Sequence, residues 1–523
     1  MRRHSSNWVG TFGRSSIVAG CLVASLAVGI GVFDRAFGAS RDTVVIAQGT
    51  DITTGDPQRT GLTPDLNVLS NIYETLINRD AQLHLHPGLA RSWRMIDPTT
   101  WEFTLRPGVR FHDGEPFTAQ AVKFSIERGL DPRLRWPRAR LFAPIRAVTV
   151  VNATTVRIET KSPMPPALFL QLIAVNSWIV PPGYLATNGD DALIRHPVGT
   201  GPYKFVEWVQ DDHVTLAANT DYWGGAPKIA HVLVRAIPNE ASRLAELLAG
   251  SVDLINLIPP DEFDVVQRDR NAKLVHAISL SMFFMDLNIV NLPAGRPLGD
   301  PRVRQALNYA VARKALLTTI MHNDGTPIVT FCTALQFGCD ASVPAWSYDP
   351  GRAKALLAEA GYAGGFDMTI ATTSGVYPGD RDLALAIAAQ LNEVGVRARA
   401  VIVEYGILLQ QVANKKLAYD STLTRHTSFY GDAGEIAATY TSQAGYTSWS
   451  PADPRFEQLL ADAAQSADGA KAKALLRQAQ LLFREEMPTV PLFTAPNAYG
   501  MNRALTWTPR PDLLLLMRDA SWN

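Results

Sequence analysis

Short strand-like runs rich in apolar residues recur along the chain, and several of them alternate apolar and polar residues with the period of two that predicts β-strands. The runs cover residues 43–47, 101–105, 147–160, 213–216, 229–237 and 283–287. Helical patterns lie between them, and those at 243–248, 352–360 and 382–394 each stop at a glycine, a residue that favours helix C-termini. Apolar residues three or four positions apart also predict one amphipathic helix over 302–321. Such mixing of helices and strands is typical of α/β lobes.

The composition narrows the class of protein. The chain has 523 residues, of which 47% are hydrophobic and 19% charged, so it can build packed cores and is not a disordered chain. Its length allows roughly three domains. Lys plus Arg and Asp plus Glu number 49 each, so the total charge indicates neither a nucleic-acid-binding protein nor a polyacidic one. We therefore expect small partners and no nucleic acid.

The first forty residues have the layout of a secretory signal peptide. Basic residues, including Arg2 and Arg3, precede an uncharged run over 17–33, and small residues follow near position 38. We predict that residues 1–39 are a signal peptide and that the mature protein is periplasmic; a permanent N-terminal anchor is the alternative. Cys21 ends a lipobox-like Val-Ala-Gly-Cys stretch, but most of the apolar run follows it, so a lipid anchor there is less favoured.

Two cysteines would remain after export. Cys332 and Cys339 lie close together between turn-forming residues, and in an oxidising compartment this spacing predicts a disulfide. A zinc site would need two more ligands, and the ten His residues are scattered, so we predict no metal and no cofactor.

No motif in the sequence encodes a known catalytic geometry. It contains no nucleophile elbow, Walker loop, His-Glu-x-x-His, Ser-x-x-Lys or Cys-x-x-Cys pattern. We therefore expect that the protein is not an enzyme. Because any two of the 49 acidic residues can meet in space, a secreted hydrolase remains the rival from another class.

A long motif at residues 90–128 carries a family resemblance. It runs Ala-Arg-Ser-Trp at 90–93, Thr-Trp-Glu-Phe-Thr-Leu-Arg-Pro-Gly-Val-Arg-Phe-His-Asp-Gly at 100–114 and Pro-Phe-Thr-Ala-Gln-Ala-Val-Lys-Phe-Ser-Ile-Glu-Arg at 116–128. Further similar stretches follow at 71–76, 197–208, 222–228, 301–311, 348–362 and 487–493. The chain closely resembles the family 5 solute-binding proteins of bacterial ABC importers, which include dipeptide-, oligopeptide- and nickel-binding proteins.

The resemblance implies an α/β fold of the two-lobe periplasmic binding protein kind (cluster C-like, type II), with an extra subdomain inserted in the first lobe. We expect a first lobe of residues 40–80, 200–285 and 495–523, an inserted subdomain of residues 81–199, and a second lobe of residues 286–494. Closure of such lobes buries a solute and creates the surface that a permease recognises.

The resemblance also points to a ligand-binding acid. Dipeptide binders of this family hold the α-ammonium group with an acid in a Gly-Asp-x-Gly-Asp stretch, and Gly-Asp-Ala-Gly-Glu at 431–435 is similar. Asp432 is therefore the first ligand-binding candidate, because a buried ammonium group needs a charged acceptor. The alternative is a solvated turn. The class also uses an arginine for the peptide carboxylate, and residues 371–379 contain none, which counts against free dipeptides.

Four more candidates lie near Asp432 in the sequence. Arg425 would bind an anionic group, and His426 a polar group or a nickel complex. Tyr430 and Trp449 would provide aromatic walls. Surface exposure or core packing are the competing roles for all four.

The expected function is capture of a peptide or peptide-like solute and its delivery to an ABC permease in the inner membrane, by a monomer. A nickel complex, an opine or sugar conjugate, or a glutathione-like solute are the alternatives within the binding class. A chaperone or a docking partner of a sensor is the alternative outside transport.

Overall fold

Three sheets of four or more strands organise the chain in this computed structural model, which describes residues 42–289, 295–442 and 453–523. In spatial order, the seven strands of the largest sheet are Ala272–His276, Ala498–Asn502, Leu254–Asn256, Thr43–Gln48, His231–Ala236, His213–Ala218 and Tyr203–Val209. Thr43–Gln48 pairs in parallel with both neighbours, and the other pairs are antiparallel. This strand is buried at five of its six positions, as expected for the centre of a sheet covered on both faces.

A second sheet is built from residues 281–494. Its five strands, in spatial order, are Arg397–Ile402, Asp367–Thr372, Ser421–Thr427, Ser281–Leu287 and Thr489–Thr494. Ser281–Leu287 is buried at every position and pairs antiparallel with both neighbours. The lobe boundary expected between residues 285 and 286 falls inside this strand, all of which belongs to the five-stranded sheet.

The third sheet is an antiparallel set of four strands, Ala90–Asp97, Thr100–Leu105, Thr155–Thr160 and Ile145–Asn152. The single strand predicted over 147–160 is wrong, because the last two strands form a hairpin there. Asn152 causes the turn: its Oδ1 accepts a hydrogen bond from the Thr154 amide (3.0 Å), a bond that favours a reversal of the chain. Two short hairpins pair Ile77–Arg79 with Leu85–Pro87 and Leu505–Thr506 with Ser521–Trp522.

Helices cover the faces of these sheets. The α-helices are Thr63–Ile72, Ala119–Leu130, Ala139–Phe142, Pro166–Asn176, Pro182–Asn188, Ala192–Arg195, Glu240–Leu248, Phe263–Arg268, Pro301–Ala310, Arg313–Thr319, Pro350–Glu359, Asp380–Glu393, Tyr405–Ala413, Ala433–Ala437, Pro454–Ala464 and Gly469–Glu486. Short 3₁₀ turns occur at Pro132–Leu134, Pro260–Glu262, Pro297–Gly299 and Ala438–Tyr440. Three helices begin at an Asp-Pro pair, where the Asp300, Asp349 or Asp453 carboxylate accepts from an amide of the first turn.

The single helix predicted over 302–321 is also wrong, because the chain is extended at Val311 between two helices. Side chains satisfy the backbone groups at this break. The Arg313 guanidinium donates to the carbonyl oxygens of Asn308 (3.0 Å) and Pro491 (2.6 Å), and the Ala312 amide donates to Gln390 Oε1 (2.9 Å). These partners are distant in sequence, so the local apolar period cannot reveal the break.

Two large and separate apolar cores divide the described chain into two lobes. One core joins the seven-stranded and four-stranded sheets and includes Val44, Phe103 and Phe169; we call this part the first lobe. The other lies within residues 282–495 and includes Phe283 and Phe483; we call it the second lobe. Each fully buried side chain of this size contributes about 1.5 to 3 kcal/mol. The two-lobe α/β fold expected from the sequence is confirmed.

The chain passes between the lobes twice, at residues 277–280 and 495–497. The two crossings lie side by side, since the Ala277 amide donates to Asn497 O (3.0 Å) and the Ala495 amide donates to Ser281 O (2.8 Å). Paired short segments of this kind can act as a hinge. No helix of the three described ranges is long and apolar enough to cross a membrane. The predicted signal peptide and Cys21 lie outside the described residues.

Candidate functional site

A turn at residues 428–435 of the second lobe contacts the first lobe. It follows the strand Ser421–Thr427 and leads into the short helix Ala433–Ala437. The Phe429 carbonyl accepts a hydrogen bond from Arg79 Nη1 (3.2 Å), and the Phe429 ring centroid lies 4.6 Å from the guanidinium carbon of Arg138. Arg79 and Arg138 both come from the first half of the chain, so this turn is a point where the lobes meet.

One carboxylate fixes the shape of this turn. Glu435 Oε2 accepts hydrogen bonds from Ser428 Oγ (2.8 Å), the Phe429 amide (2.9 Å) and the Tyr430 amide (3.0 Å). Burial raises the pKa of Glu435, and these donors act in the opposite direction. Gly431 has a φ of 69°, a left-handed conformation that suits glycine. Hydrogen bonds to the Glu435 carboxylate therefore hold the shape of the turn at residues 428–430.

Asp432 is a buried acid at the end of this turn. It begins the helix Ala433–Ala437, and its Oδ1 accepts from the Gly434 amide (2.7 Å). Its exposed fraction is 6%, and burial raises its pKa to about 7. Within the described residues it has no cation at ion-pair distance, and its Oδ2 has no side-chain hydrogen-bond donor. A carboxylate in this position is costly to ionise unless a cation joins it.

Asp432 lines a cavity of about 430 Å³, which we call the Asp432 cavity. Tyr430 and Glu457 lie on the same wall, and Leu460 and Leu476 are among its apolar residues. Leu168, which packs on the first-lobe core, closes the cavity from the other lobe. The cavity thus combines apolar walls with a few acidic groups, as many small-molecule sites do.

A disulfide loop supports the turn from the side of the second lobe. Cys332 and Cys339 are joined by a disulfide with a Cα–Cα distance of 5.8 Å. Inside the loop, Gln336 Nε2 donates to the Asp432 carbonyl (3.1 Å). Gln480 ties the loop to the long helix Gly469–Glu486 by donating to Gly338 O (2.8 Å). The backbone at Asp432 is therefore connected to the core of its lobe through this loop.

A second cavity of about 110 Å³, which we call the Arg138 cavity, lies on the other side of the turn. Thr427, Ser428 and Phe429 line it from the second lobe, and Tyr73, Glu74, Trp178 and Leu514 are among the residues that line it from the first. Four guanidinium groups also face it, those of Arg79, Arg138, Arg510 and Arg518. Arginine is thus the dominant charged residue of this cavity.

Arg425 and His426 do not line the Asp432 cavity. The Arg425 guanidinium carbon is 4.7 Å from the Tyr377 ring centroid, burial lowers its pKa, and no carboxylate of the described chain lies at ion-pair distance. His426 is directed into the second-lobe core, where its Nε2 lies 2.8 Å from Asp286 Oδ2. Trp449 lies outside the described residues. Of the five predicted residues, the structure brings Tyr430 and Asp432 to one cavity.

Sequence reasoning missed Arg79, Arg138 and the role of Glu435. Arg138 lies in a stretch with three other arginines, at positions 133, 135 and 140, and nothing local shows which of the four is buried. Within the described residues, no group of three or more His, Cys, Asp or Glu side chains is arranged to hold a metal ion.

The comparisons agree with this architecture. The family described as bacterial extracellular solute-binding proteins, family 5 Middle, matches residues 84–448. The glutathione-binding protein GsiB of Pectobacterium atrosepticum is 30% identical over 495 residues, which are 92% of this chain and 94% of that protein. HbpA2 of Haemophilus parasuis has a TM-score of 0.80 at 27% identity, over 92% of this chain and 100% of its own.

A structure with a bound peptide is also similar. DppA of Helicobacter pylori, an ABC transporter-associated periplasmic binding protein in complex with the peptide STSA, has a TM-score of 0.76 at 25% identity. The match covers 92% of this chain and 98% of that one. Since the family match extends over most of the chain and the fold has the expected two lobes, this protein belongs to the family 5 bacterial extracellular solute-binding proteins.

Proposed function

We propose that this protein captures a peptide or peptide-like solute between its two lobes and delivers it, chemically unchanged, to an ABC permease in the inner membrane. The observation that carries the choice of solute is Asp432, a buried carboxylate at the lobe interface with no cation among the described residues. An ammonium group on the solute would supply the missing counter-charge.

The relatives support this choice of solute. GsiB is named for glutathione, and DppA was crystallised with the peptide STSA. Glutathione and an unmodified peptide both carry a free α-ammonium group and at least one carboxylate. The two cavities beside the 428–435 turn offer groups of the complementary charges.

Other residues take subsidiary roles in this proposal. Tyr430 forms part of the wall of the Asp432 cavity. Trp449, which lies outside the described residues, stays a predicted aromatic contact of the solute. Arg425, whose guanidinium group lies against the Tyr377 ring, offers an anionic group of the solute a second cation from the second lobe. His426 holds the strand Ser421–Thr427 on Asp286, and its contribution to binding is indirect.

We further propose that residues 1–39 are a cleaved signal peptide and that the mature protein acts as a periplasmic monomer. Residues 40–276 and 498–523, which include the subdomain at 81–199, move as one lobe against residues 281–494. The crossings at 277–280 and 495–497 provide the hinge.

Native mass spectrometry of the protein from a bacterial periplasm, recorded before dialysis and after unfolding, tests the proposal. A released mass, or a ladder of masses, that fragments as peptide supports it. Reduced glutathione and Ser-Thr-Ser-Ala then serve as probes in calorimetry, with their N-acetylated forms as controls, and we expect acetylation to abolish binding. A bound opine, sugar conjugate or nickel complex would replace the peptide assignment. Conversion of a probe to products during incubation would instead indicate a hydrolase.

A further inference from the structure

Arg138 is a buried guanidinium without an acidic partner in the described part of the chain. Its exposed fraction is 8%, and no carboxylate lies at ion-pair distance. Its Nη2 donates to the Gly61 carbonyl (3.1 Å), and its plane lies near the Phe429 ring. Both of these partners are neutral. Because buried arginines are almost always paired, an anion is missing from this environment.

The other charged groups of the Arg138 cavity do not provide that anion. Asp512 is shared by two guanidinium groups, since Arg79 Nη2 lies 3.0 Å and Arg510 Nη2 lies 2.7 Å from its Oδ2. Arg518 pairs with Asp519 at 3.1 Å. Asp512 and Asp519 are therefore already paired with other arginines and do not pair with Arg138.

Two further acids, Glu74 of the cavity lining and Glu435 of the neighbouring turn, accept hydrogen bonds from neutral donors. Glu74 accepts hydrogen bonds from Tyr222 Oη (2.8 Å), Thr200 Oγ1 (2.8 Å) and Trp223 Nε1 (3.0 Å). Glu435 is committed to the 428–435 turn and attracts Arg138 only from beyond ion-pair distance. The cavity consequently keeps an excess of positive charge.

We propose that Arg138 binds an anionic group of the solute, a carboxylate in a peptide-like ligand, inside the Arg138 cavity. This inference rests on the proposed function and makes it more specific. The protein selects solutes that carry a carboxylate as well as the ammonium group held by Asp432. A planar guanidinium suits a carboxylate because it can donate two parallel hydrogen bonds.

The position of Phe429 explains why such binding would be coupled to closure. Phe429 belongs to the second lobe and stacks on the first-lobe Arg138, so the guanidinium is covered only while the lobes are together. Phe429, which lines the Arg138 cavity, and Asp432, which lines its own cavity, are three residues apart, so their Cα atoms lie at most about 11 Å from each other.

Calorimetry with matched peptide pairs tests the inference. The probes are peptides of two to five residues, including Ser-Thr-Ser-Ala, each as the free acid and as the C-terminal amide. We expect the unmodified protein to bind acids at least about tenfold more tightly than amides. Arg138→Gln should weaken acid binding about 30-fold or more and remove the preference, because it truncates one partner of a buried charge pair. Arg138→Lys should retain part of the preference.

Arg140→Gln is the matched control, since Arg140 is an exposed neighbour on the helix Ala139–Phe142 and its loss changes the net charge equally. It should leave both affinities unchanged. Equal binding of acids and amides by the unmodified protein would overturn the carboxylate site while leaving the peptide function intact. If Arg138→Gln does not fold, the acid and amide comparison on the unmodified protein and on Arg138→Lys decides.

A second measurement keeps the inference independent of the peptide assignment. If no peptide binds in either form, the proposed function fails. Succinate is then titrated while the tryptophan fluorescence of the protein is followed, and a Trp178→Phe variant identifies the contribution of Trp178, which lines the same cavity. A saturable change that Arg138→Gln removes and Arg140→Gln retains would support an anion site. The absence of a saturable change would overturn it.

Discussion

Phe337 and Asp432 form an isolated parallel β-bridge that joins the disulfide loop to the 428–435 turn. The Phe337 amide donates to Gly431 O (2.7 Å), and the Phe337 carbonyl accepts from the Ala433 amide (3.0 Å). The backbone on both sides of Asp432 is thus bonded to one residue of a covalently closed loop. The position of the candidate ligand-binding acid depends on that loop.

We predict that replacing both cysteines, Cys332→Ser with Cys339→Ser, lowers the free energy of unfolding by about 2 to 3 kcal/mol, the value for a loop this short. Solute affinity should also fall, because the loop that holds the Asp432 backbone becomes more mobile. Urea denaturation and calorimetry measure the two effects. The unmodified protein treated with a reductant is the control. Lower stability with unchanged affinity would show that the loop does not position Asp432.

Asp432→Asn should weaken binding of an ammonium-bearing peptide by about 2 to 5 kcal/mol, as expected for removing one charge of a buried pair. Asparagine caps helices as well as aspartate, so the helix Ala433–Ala437 should persist. Asp349→Asn, which makes the same change at an exposed helix cap of the second lobe, is the matched control. Equal dissociation constants for Asp432→Asn and the unmodified protein would remove Asp432 from the site.

The pKa of Asp432, raised to about 7 by burial, makes two pH dependences testable. The unfolded carboxyl titrates near ~3.9. The folded state therefore holds its proton more tightly, so this group's contribution to stability is complete below pH ~4 and is lost as the pH rises through about 7. Asp432→Asn should remove this part of the pH dependence of unfolding.

Binding should show the opposite trend. A ligand ammonium group favours the ionised carboxylate, so affinity should increase as the pH rises towards 7 and binding at pH 6 should release a proton. Calorimetry at pH 6 in two buffers of different ionisation enthalpy measures that proton. Identical heats in the two buffers would contradict the pairing.

His426→Ala should destabilise the protein by about 1 to 3 kcal/mol, because it removes a hydrogen-bond partner of the buried Asp286 carboxylate. Burial raises the pKa of Asp286, but its interaction with His426 and hydrogen bonds with Thr424 and Thr489 together lower that pKa below its usual value. Solute affinity at a temperature where the variant is folded should be unchanged. A loss of affinity without a loss of stability would place His426 in the binding site.

The local pattern of apolar and polar residues was sufficient to predict strands that pair within a single sheet. The runs at 213–216 and 283–287 correctly predicted strands. The first alternates between buried and partly buried residues, and the second is buried at every position. The pattern did not predict the helix break at Val311, because the Arg313 side chain there bonds to the carbonyl of Pro491, a residue far away in the sequence. Asp432 was found through a motif, since glycines around an acid are visible in sequence. The burial of Arg138 could not be predicted from the sequence, because Phe429 of the other lobe covers its guanidinium group.

The strand Ala498–Asn502 lies between Leu254–Asn256 and Ala272–His276 in the seven-stranded sheet. During synthesis these two neighbours emerge long before it does, and every residue of the second lobe is made in between. Until residue 502 is available, both strands expose unpaired edges, and such edges invite wrong pairing and aggregation. The first lobe therefore cannot complete its seven-stranded sheet until the whole second lobe has been synthesised.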